Sequence, residues 1–414
     1  MKVLILTADS NGGYPVPAVR GGAVSTLIEH IVSENNRKQL CDLEIVSFYD
    51  KNAQIKACQQ YPKIKFTWIN TPKILKLLDL CAFNFVRILR KNKKAISFRS
   101  PFSLLWYIYK ATRIVNKTNA NKVVIENNIP LVRIVKKSKF TGEWYYHLHN
   151  IPRINAGCRS EFKKITKFIC VSKFVAEQIT SNKSVIGKIP LHKTEVLFNC
   201  VDTRLFRPIS KNDPKLVELR KKFGFGEDDF ICIFSGRLSE EKGAYQILKA
   251  LQTTGEKIKC LIVGSLLSDF NSMTEYQKNL YELANNINNK VFFTGYIGPI
   301  DLPYYYNLAN VAILPSIWDE PAGLTNIEAM ACGLPVITTQ SGGIPEYVGD
   351  CGKLIKRDEL LIQHLRETIY EFKEKCNEDK YSYSVKRVLE NFNKNNYLEK
   401  FLFCLNCSQS NEIG

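Results

Sequence analysis

No apolar run in the chain approaches the ~18 residues that a helix needs to cross a bilayer, so spanning helices are not expected. The opening residues, MKVLILTADS, lack the basic region and cleavage site of a signal peptide and read as a first β-strand. A disulfide framework is lacking too. The 13 cysteines are odd in number and scattered through apparent strands and helices, which suits reduced thiols in the cytoplasm. The C-x2-C pair Cys404 and Cys407 has no second pair to complete a zinc site. No compact G-x-G-x-x-G turn follows the first strand, so a dinucleotide site has little support.

Acid is the scarcer charge: 40 Asp and Glu face 58 Lys and Arg, and the excess is unevenly placed. Between Lys73 and Lys139, 16 basic residues stand against Asp79 and Glu126, interleaved with Phe83, Phe85, Phe98, Phe102, Trp106, Tyr107 and Tyr109. An anionic membrane surface attracts such basic aromatic segments, each Lys or Arg contributing about 1 kcal/mol near the lipid. Nucleic acid and a merely solvated lysine-rich face are the alternatives, and no nucleic-acid-binding motif is recognisable. Peripheral attachment to the inner face of the plasma membrane is the expectation, with no nucleic-acid partner.

What is present is a regular alternation. At 414 residues the chain suits two domains of about 200 residues each. Short β-branched runs alternate with helical patterns such as Ala23 to Asn35, which is the signature of doubly wound α/β sheets. The expected domains are 1–206 and 207–385, with a helix over 386–414 returning to the first.

Residues 311 to 346 carry the most information. Val311 to Leu314 is a strand, Leu324 to Ala331 is helix-compatible, and Gly333 with Pro335 stops the helix before a second strand. Parallel sheets bind ligands at the carboxyl ends of their strands, where the loop Ser316 to Gly323 places Asp319 and Glu320. At Gly323 the backbone can approach a ligand closely, and the following helix offers N–H groups to an anion. The loop Ser341-Gly342-Gly343 repeats the arrangement.

Glu320 and Glu328, with seven residues between them in E-P-A-G-L-T-N-I-E-A-M-A-C-G-L-P-V, resemble the E-x7-E signature of family 4 retaining glycosyltransferases. Pro315-Ser316, Gly342-Gly343 and Pro345-Glu346 fit the same pattern. The resemblance implies the GT-B fold: two Rossmann-like domains facing across a cleft, an acceptor-side N-terminal one and a nucleotide-sugar-binding C-terminal one. Y-H-L-H-N (146–150) and R-G-G-A-V (20–24) look most like bacterial enzymes building lipopolysaccharide core, capsule or exopolysaccharide.

Other candidates follow along the chain. Gly21 and Gly22 suit a close approach to phosphate or sugar, and the family carries a similar loop facing the diphosphate; a plain turn is the alternative. His147 and His149 share one side of their strand, and the resemblance sets His149 beside the donor sugar, while His147 reads equally as a core histidine. Asn199, Val201 and Asp202 match a common N-G-V-D, with Cys200 in place of the glycine. Arg237 and Lys242, in S-G-R-L-S-E-E-K-G, supply positive charge suited to a diphosphate, as their family counterparts do; a solvated ion pair with Glu240 and Glu241 competes.

The reaction so implied moves a hexosyl or N-acetylhexosaminyl group from a nucleoside diphosphate sugar, with uridine favoured by family frequency, to a hydroxyl of a glycan or glycolipid. The leaving diphosphate gains negative charge, so fixed cations and N–H dipoles aimed at it are the main expected catalytic contribution. Arg237, Lys242 and the amides at Gly323, Leu324 and Thr325 would supply them. By resemblance Glu328 binds the ribose hydroxyls and Glu320 those of the sugar. No cofactor or metal is expected, since a convincing D-x-D element is missing. A sugar-nucleotide epimerase and a non-catalytic basic binding module are the competing functions.

Overall fold

The structure, a computed structural model, describes residues 1–8, 14–19, 21–89, 99–255, 257–264, 274–287, 290–374 and 379–406. Part of the Gly- and Pro-rich loop after the first strand (9–13 and Arg20), the basic stretch 90–98 with Phe98, and the tail 407–414 with Cys407 lie outside the described residues. Two compact units emerge, residues 1–197 with 395–414 and residues 198–394. The sequence suggested boundaries at 206/207 and 385/386.

Unit 1 is built on seven parallel strands, β1 (Lys2–Thr7), β2 (Asp42–Phe48), β3 (Lys65–Ile69), β4 (Lys122–Glu126), β5 (Glu143–Leu148), β6 (Lys167–Cys170) and β7 (Thr194–Val196). Their order is β3-β2-β1-β4-β5-β6-β7. Ile5 of β1 pairs with Ile45 on one side and Val124 on the other, all three fully buried, as strands covered on both faces require. The order reverses between β1 and β4, which opens a crevice at their carboxyl ends.

Helices Lys73–Leu89 and Pro101–Val115 carry much of the basic aromatic region. Asp79 reaches from the first helix to the start of the second, accepting from Phe102 N (2.8 Å), Ser103 N (3.1 Å) and Ser103 Oγ. That carboxylate takes over the capping role Ser100 leaves unfilled. The opposite face of Lys73–Leu89 exposes Ile74, Leu77, Leu78 and Phe85 at helical spacing. Among the described residues no helix is long and apolar enough to cross a membrane.

The expected helix over 386–414 is in fact two, Asp379–Asn391 and Tyr397–Asn406. Between them the chain pairs with Val201: Val201 N donates to Phe392 O (2.8 Å) and Lys394 N to Val201 O (3.1 Å), so those groups leave the helical ladder. Tyr397–Asn406 belongs to unit 1, with Phe401 and Leu405 fully buried. Lys122 Nζ (2.6 Å) and Tyr145 Oη (2.5 Å) both donate to the carbonyl of Leu405, and Lys38 Nζ donates to Asn395 O at 2.7 Å.

Unit 2 has six parallel strands, β8 (Phe230–Ser235), β9 (Ile258–Val263), β10 (Val291–Gly295), β11 (Val311–Leu314), β12 (Val336–Thr339) and β13 (Gly352–Ile355), ordered β10-β9-β8-β11-β12-β13. The order again reverses once, between β8 and β11. Cys232 and Cys260 are buried in this core, and all eleven described cysteines are free thiols. Cys200 needs no glycine, for it is not among the residues with positive φ.

Candidate active site

In unit 2 the loops after β8 and β11 flank the reversal point, where parallel sheets bind ligands. The first carries Arg237 and Lys242, the second Ser316 to Gly323. Lys242 Nζ donates to Glu320 Oε1, which also accepts from Ser316 Oγ at 2.5 Å. The Glu320 carbonyl accepts from Gly343 N at 2.7 Å, so the loop after β12 anchors it too. Ser316 is fixed in turn, its carbonyl accepting from Thr339 Oγ1 (2.5 Å) and Ser341 Oγ (2.9 Å). Glu320 is therefore held by three loops, and its carboxylate is already charge-paired.

Arg237 behaves differently. Its Nη2 lies 2.8 Å from Glu241 with both side chains well exposed, the solvated pair weighed as the alternative in the sequence. The structure brings Lys242, and not Arg237, onto Glu320. Asp319 is likewise drawn outward, pairing with Arg357 at 2.7 Å.

Helix Leu324–Ala331 starts at Gly323 with no side-chain cap, so the N–H groups of its first turn, Leu324 and Thr325 included, are not taken up by a capping side chain. A Cβ at Gly323 would stand 2.9 Å from Asn326 Nδ2, so this position has little room for a side chain. Glu328, one turn in, accepts from Tyr306 Oη at 3.2 Å. Burial pushes its carboxyl up to about 7, and the Tyr306 hydrogen bond only partly offsets this. Glu328 is thus poised to gain from a partner that favours its charged form.

In unit 1, Gly21 and Gly22 take positive φ (78° and 100°), and Gly22 begins helix Ala23–Lys38, again without a side-chain cap. His149 follows β5 and is buried, with Nε2 3.0 Å from Glu126 Oε2. His147 Nδ1 lies 3.1 Å from the same oxygen. Burial and the neighbouring His147 hold His149 down at about 4, so its ring is neutral near pH 7. Burial alone would raise Glu126, but the two histidines outweigh it and bring the carboxyl to about 2. Among the described residues these three form a group with ligand atoms within 4.8 Å of one another.

Glu126 escaped the sequence reading, which counted it only as a charge. The available signal was its place as the last residue of an apolar strand, at the carboxyl end. A depression lined by Val115, Phe140 and Asn406 opens at the amino ends of β1, β4 and β5, away from all these groups.

Residues 217–399 match the family described as glycosyl transferases group 1. The chain is 30% identical over 189 residues to spore coat protein SA of Bacillus subtilis, spanning 44% of this chain and about half (49%) of that relative. It is 25% identical over 293 residues to the lipopolysaccharide 1,2-N-acetylglucosaminetransferase of Salmonella typhimurium, covering 67% and 71% of the two chains. In fold it is similar to Anabaena Alr3699/HepE, crystallised with UDP: TM-score 0.71, 19% identity, 98% and 99% of the chains covered. With two parallel sheets that each reverse once the chain has the GT-B fold, and its residues 217–399, most of them in unit 2, match the glycosyl transferases group 1 family.

Proposed function

We propose that the chain transfers a hexosyl or N-acetylhexosaminyl group from a UDP-sugar, with retention, to a hydroxyl of a growing lipid-linked cell-surface glycan. The observation carrying this is the convergence of Lys242, Glu320 and the uncapped helix at Gly323 on the reversal point between β8 and β11. UDP as the donor's nucleotide draws support from the Anabaena protein's complex, and a lipopolysaccharide-type acceptor from the Salmonella enzyme's name.

In this reading the bond from the anomeric carbon to the diphosphate breaks, and a bond to the acceptor oxygen forms on the same face. The acceptor proton passes to the leaving phosphate. Lys242, Arg237 and the amides of Leu324 and Thr325 take up the charge appearing on the diphosphate. Arg237 must leave Glu241 to do so, and the exposure of that pair makes the exchange cheap. Glu328 receives the ribose hydroxyls and Glu320 those of the sugar. Gly21 and Gly22 are assigned to a phosphate or sugar group and His149 to a sugar hydroxyl. The chain's own residues are given every step, with no cofactor.

Attachment to the inner membrane face, by the exposed apolar stripe of Lys73–Leu89 and the basic residues around it, belongs to the same proposal. The test is a thermal-shift panel with UDP, GDP, ADP, NAD, UDP-glucose, UDP-galactose, UDP-N-acetylglucosamine and GDP-mannose. A ligand at a hundred times its Kd adds about 2.7 kcal/mol, several degrees in Tm. A shift with UDP and one of its sugars, diminished in Lys242→Ala, is expected; silence from every sugar nucleotide would sink the donor assignment.

A further inference from the structure

We propose that Glu126 is a positioning residue that holds His149 as the Nε2–H tautomer, so that the lone pair on Nδ1 is what the ring offers to a sugar hydroxyl. The functional half of this inference rests on the transferase reading; the tautomer does not.

A carboxylate only accepts, so the two nitrogens facing Glu126, His147 Nδ1 and His149 Nε2, must carry the protons. On neutral His149 the remaining nitrogen is then an acceptor. The segment after Glu126 is built to hold this histidine. Asn127 adopts a left-handed conformation (φ 47°), takes the His147 carbonyl through its own N–H at 2.9 Å, and accepts from His149 N on Oδ1 at 3.0 Å. Asn128 Nδ2 donates to Ala8 O at the end of β1 at 2.6 Å. Glu126 therefore orients the ring, and Asn127 the backbone that bears it.

The outer atoms of the same residues point to a ligand. His149 Nδ1, His147 Nε2 and Asn128 Oδ1 are buried with no hydrogen-bond partner among the described residues. A buried acceptor left unsatisfied costs about 1–3 kcal/mol, and native proteins rarely carry several together. A purely structural Glu–His pair would use both ends of each ring. His149 Nδ1 and Asn128 Oδ1, acceptors at the carboxyl ends of β5 and β4, call for O–H donors, and a sugar presents them in quantity.

The deciding measurement is a long-range 1H–15N spectrum of the full-length protein at neutral pH, with His149 assigned by the loss of its signals in His149→Asn. Expected is the Nε2–H pattern for His149. Glu126→Gln should release it towards Nδ1–H and lower kcat about ten- to a hundredfold with KM for the donor little changed. Glu126→Asp should restore part of both. An Nδ1–H pattern in the unaltered protein would overturn the proposal, and that spectrum decides even if the variants fail to fold. So would one zinc per chain in the purified protein, lost in Glu126→Gln, because both facing nitrogens would then be ligands and unprotonated. A displaced tautomer with unchanged kcat overturns the functional half. If no sugar nucleotide is turned over while His149 remains Nε2–H, the transferase reading falls and the clamp stands.

Discussion

Lys242 rests its ammonium on the carboxylate of Glu320, 78 residues further along the chain, and so two groups assigned to one donor neutralise each other. In the proposed reading, a diphosphate entering this site competes with Glu320 for the lysine. Lys242→Ala is expected to weaken UDP by about ten- to a hundredfold, the worth of a charged hydrogen bond of about 1.5–3 kcal/mol. Glu320→Gln should leave UDP affinity equal or tighter while turnover falls by more than about a hundredfold. Calorimetry of UDP binding beside initial rates separates the two; parallel losses in both variants would contradict the competition.

If Glu328 receives the ribose hydroxyls as proposed, donor binding depends on pH. The carboxyl is held near 7, and ribose hydroxyls favour its charged form, so binding below that pH must first remove a proton. UDP-sugar affinity should rise up to about tenfold per unit as pH climbs from 6 towards 7, then level off. Glu328→Gln should bind more weakly and with a flat profile.

Stability carries two opposed contributions over nearly the same range. His149 is depressed from 6.5 to about 4, so the unfolded chain binds more protons between these values and its contribution is lost as pH falls. Glu328 is raised from 4.5 to about 7, so the folded chain holds the extra proton, and its contribution is present at low pH and lost as pH rises. Urea titrations from pH 4.5 to 7 should show a shallow dependence in the unaltered protein. Glu328→Gln should turn it into a clear rise of stability with pH. A profile that is the same in both would refute the opposition.

Gly243 ties the lysine loop to the loop after β11. Its φ is 76°, and a Cβ there would sit 2.0 Å from Pro315 O, a backbone atom that cannot swing aside. Gly243→Ala is expected to cost about 2–4 kcal/mol from strain and overpacking, read as a fall in Tm, and to move Lys242 off Glu320. Gly255→Ala, with open space at Cβ, is the control.

The stripe on Lys73–Leu89 should bind lipid without supporting the fold. Ile74, Leu77 and Phe85 are 67%, 60% and 64% exposed. Changing all three to Ser should leave Tm within about a degree, since surface substitutions rarely exceed 0.5 kcal/mol. Flotation with vesicles rich in phosphatidylglycerol should drop severalfold, and salt should weaken what remains. Unchanged flotation would remove this helix from the membrane contact.

The fold was legible because parallel strands buried on both faces write themselves as apolar runs. Strand Val311 to Leu314 and helix Leu324 to Ala331 have the bounds the sequence suggested. Helix Ala23–Lys38 runs past the expected Asn35, because Arg37 and Lys38 find Glu34 within a turn. Pairings distant in sequence were not legible. Nothing local says that Lys242 chooses Glu320 while Arg237 stays with Glu241, or that Arg357 takes Asp319. Phe392 to Asn396 read as helix because its apolar spacing continues, and only the partner Val201 reveals the break. Glu126 was missed for the same reason, since its meaning lies in two histidines on the neighbouring strand.

Residues 395–406 complete a unit whose other part ends at Leu197. During synthesis the ribosome delivers the whole of unit 2 before Phe401 and Leu405 reach their places and the Leu405 carbonyl meets Lys122 and Tyr145. Unit 2 is therefore the first that can mature, and unit 1 waits with an apolar seam open. Order of completion is inverted relative to order of synthesis, and a nascent chain spends most of its birth with its first-made half unfinished.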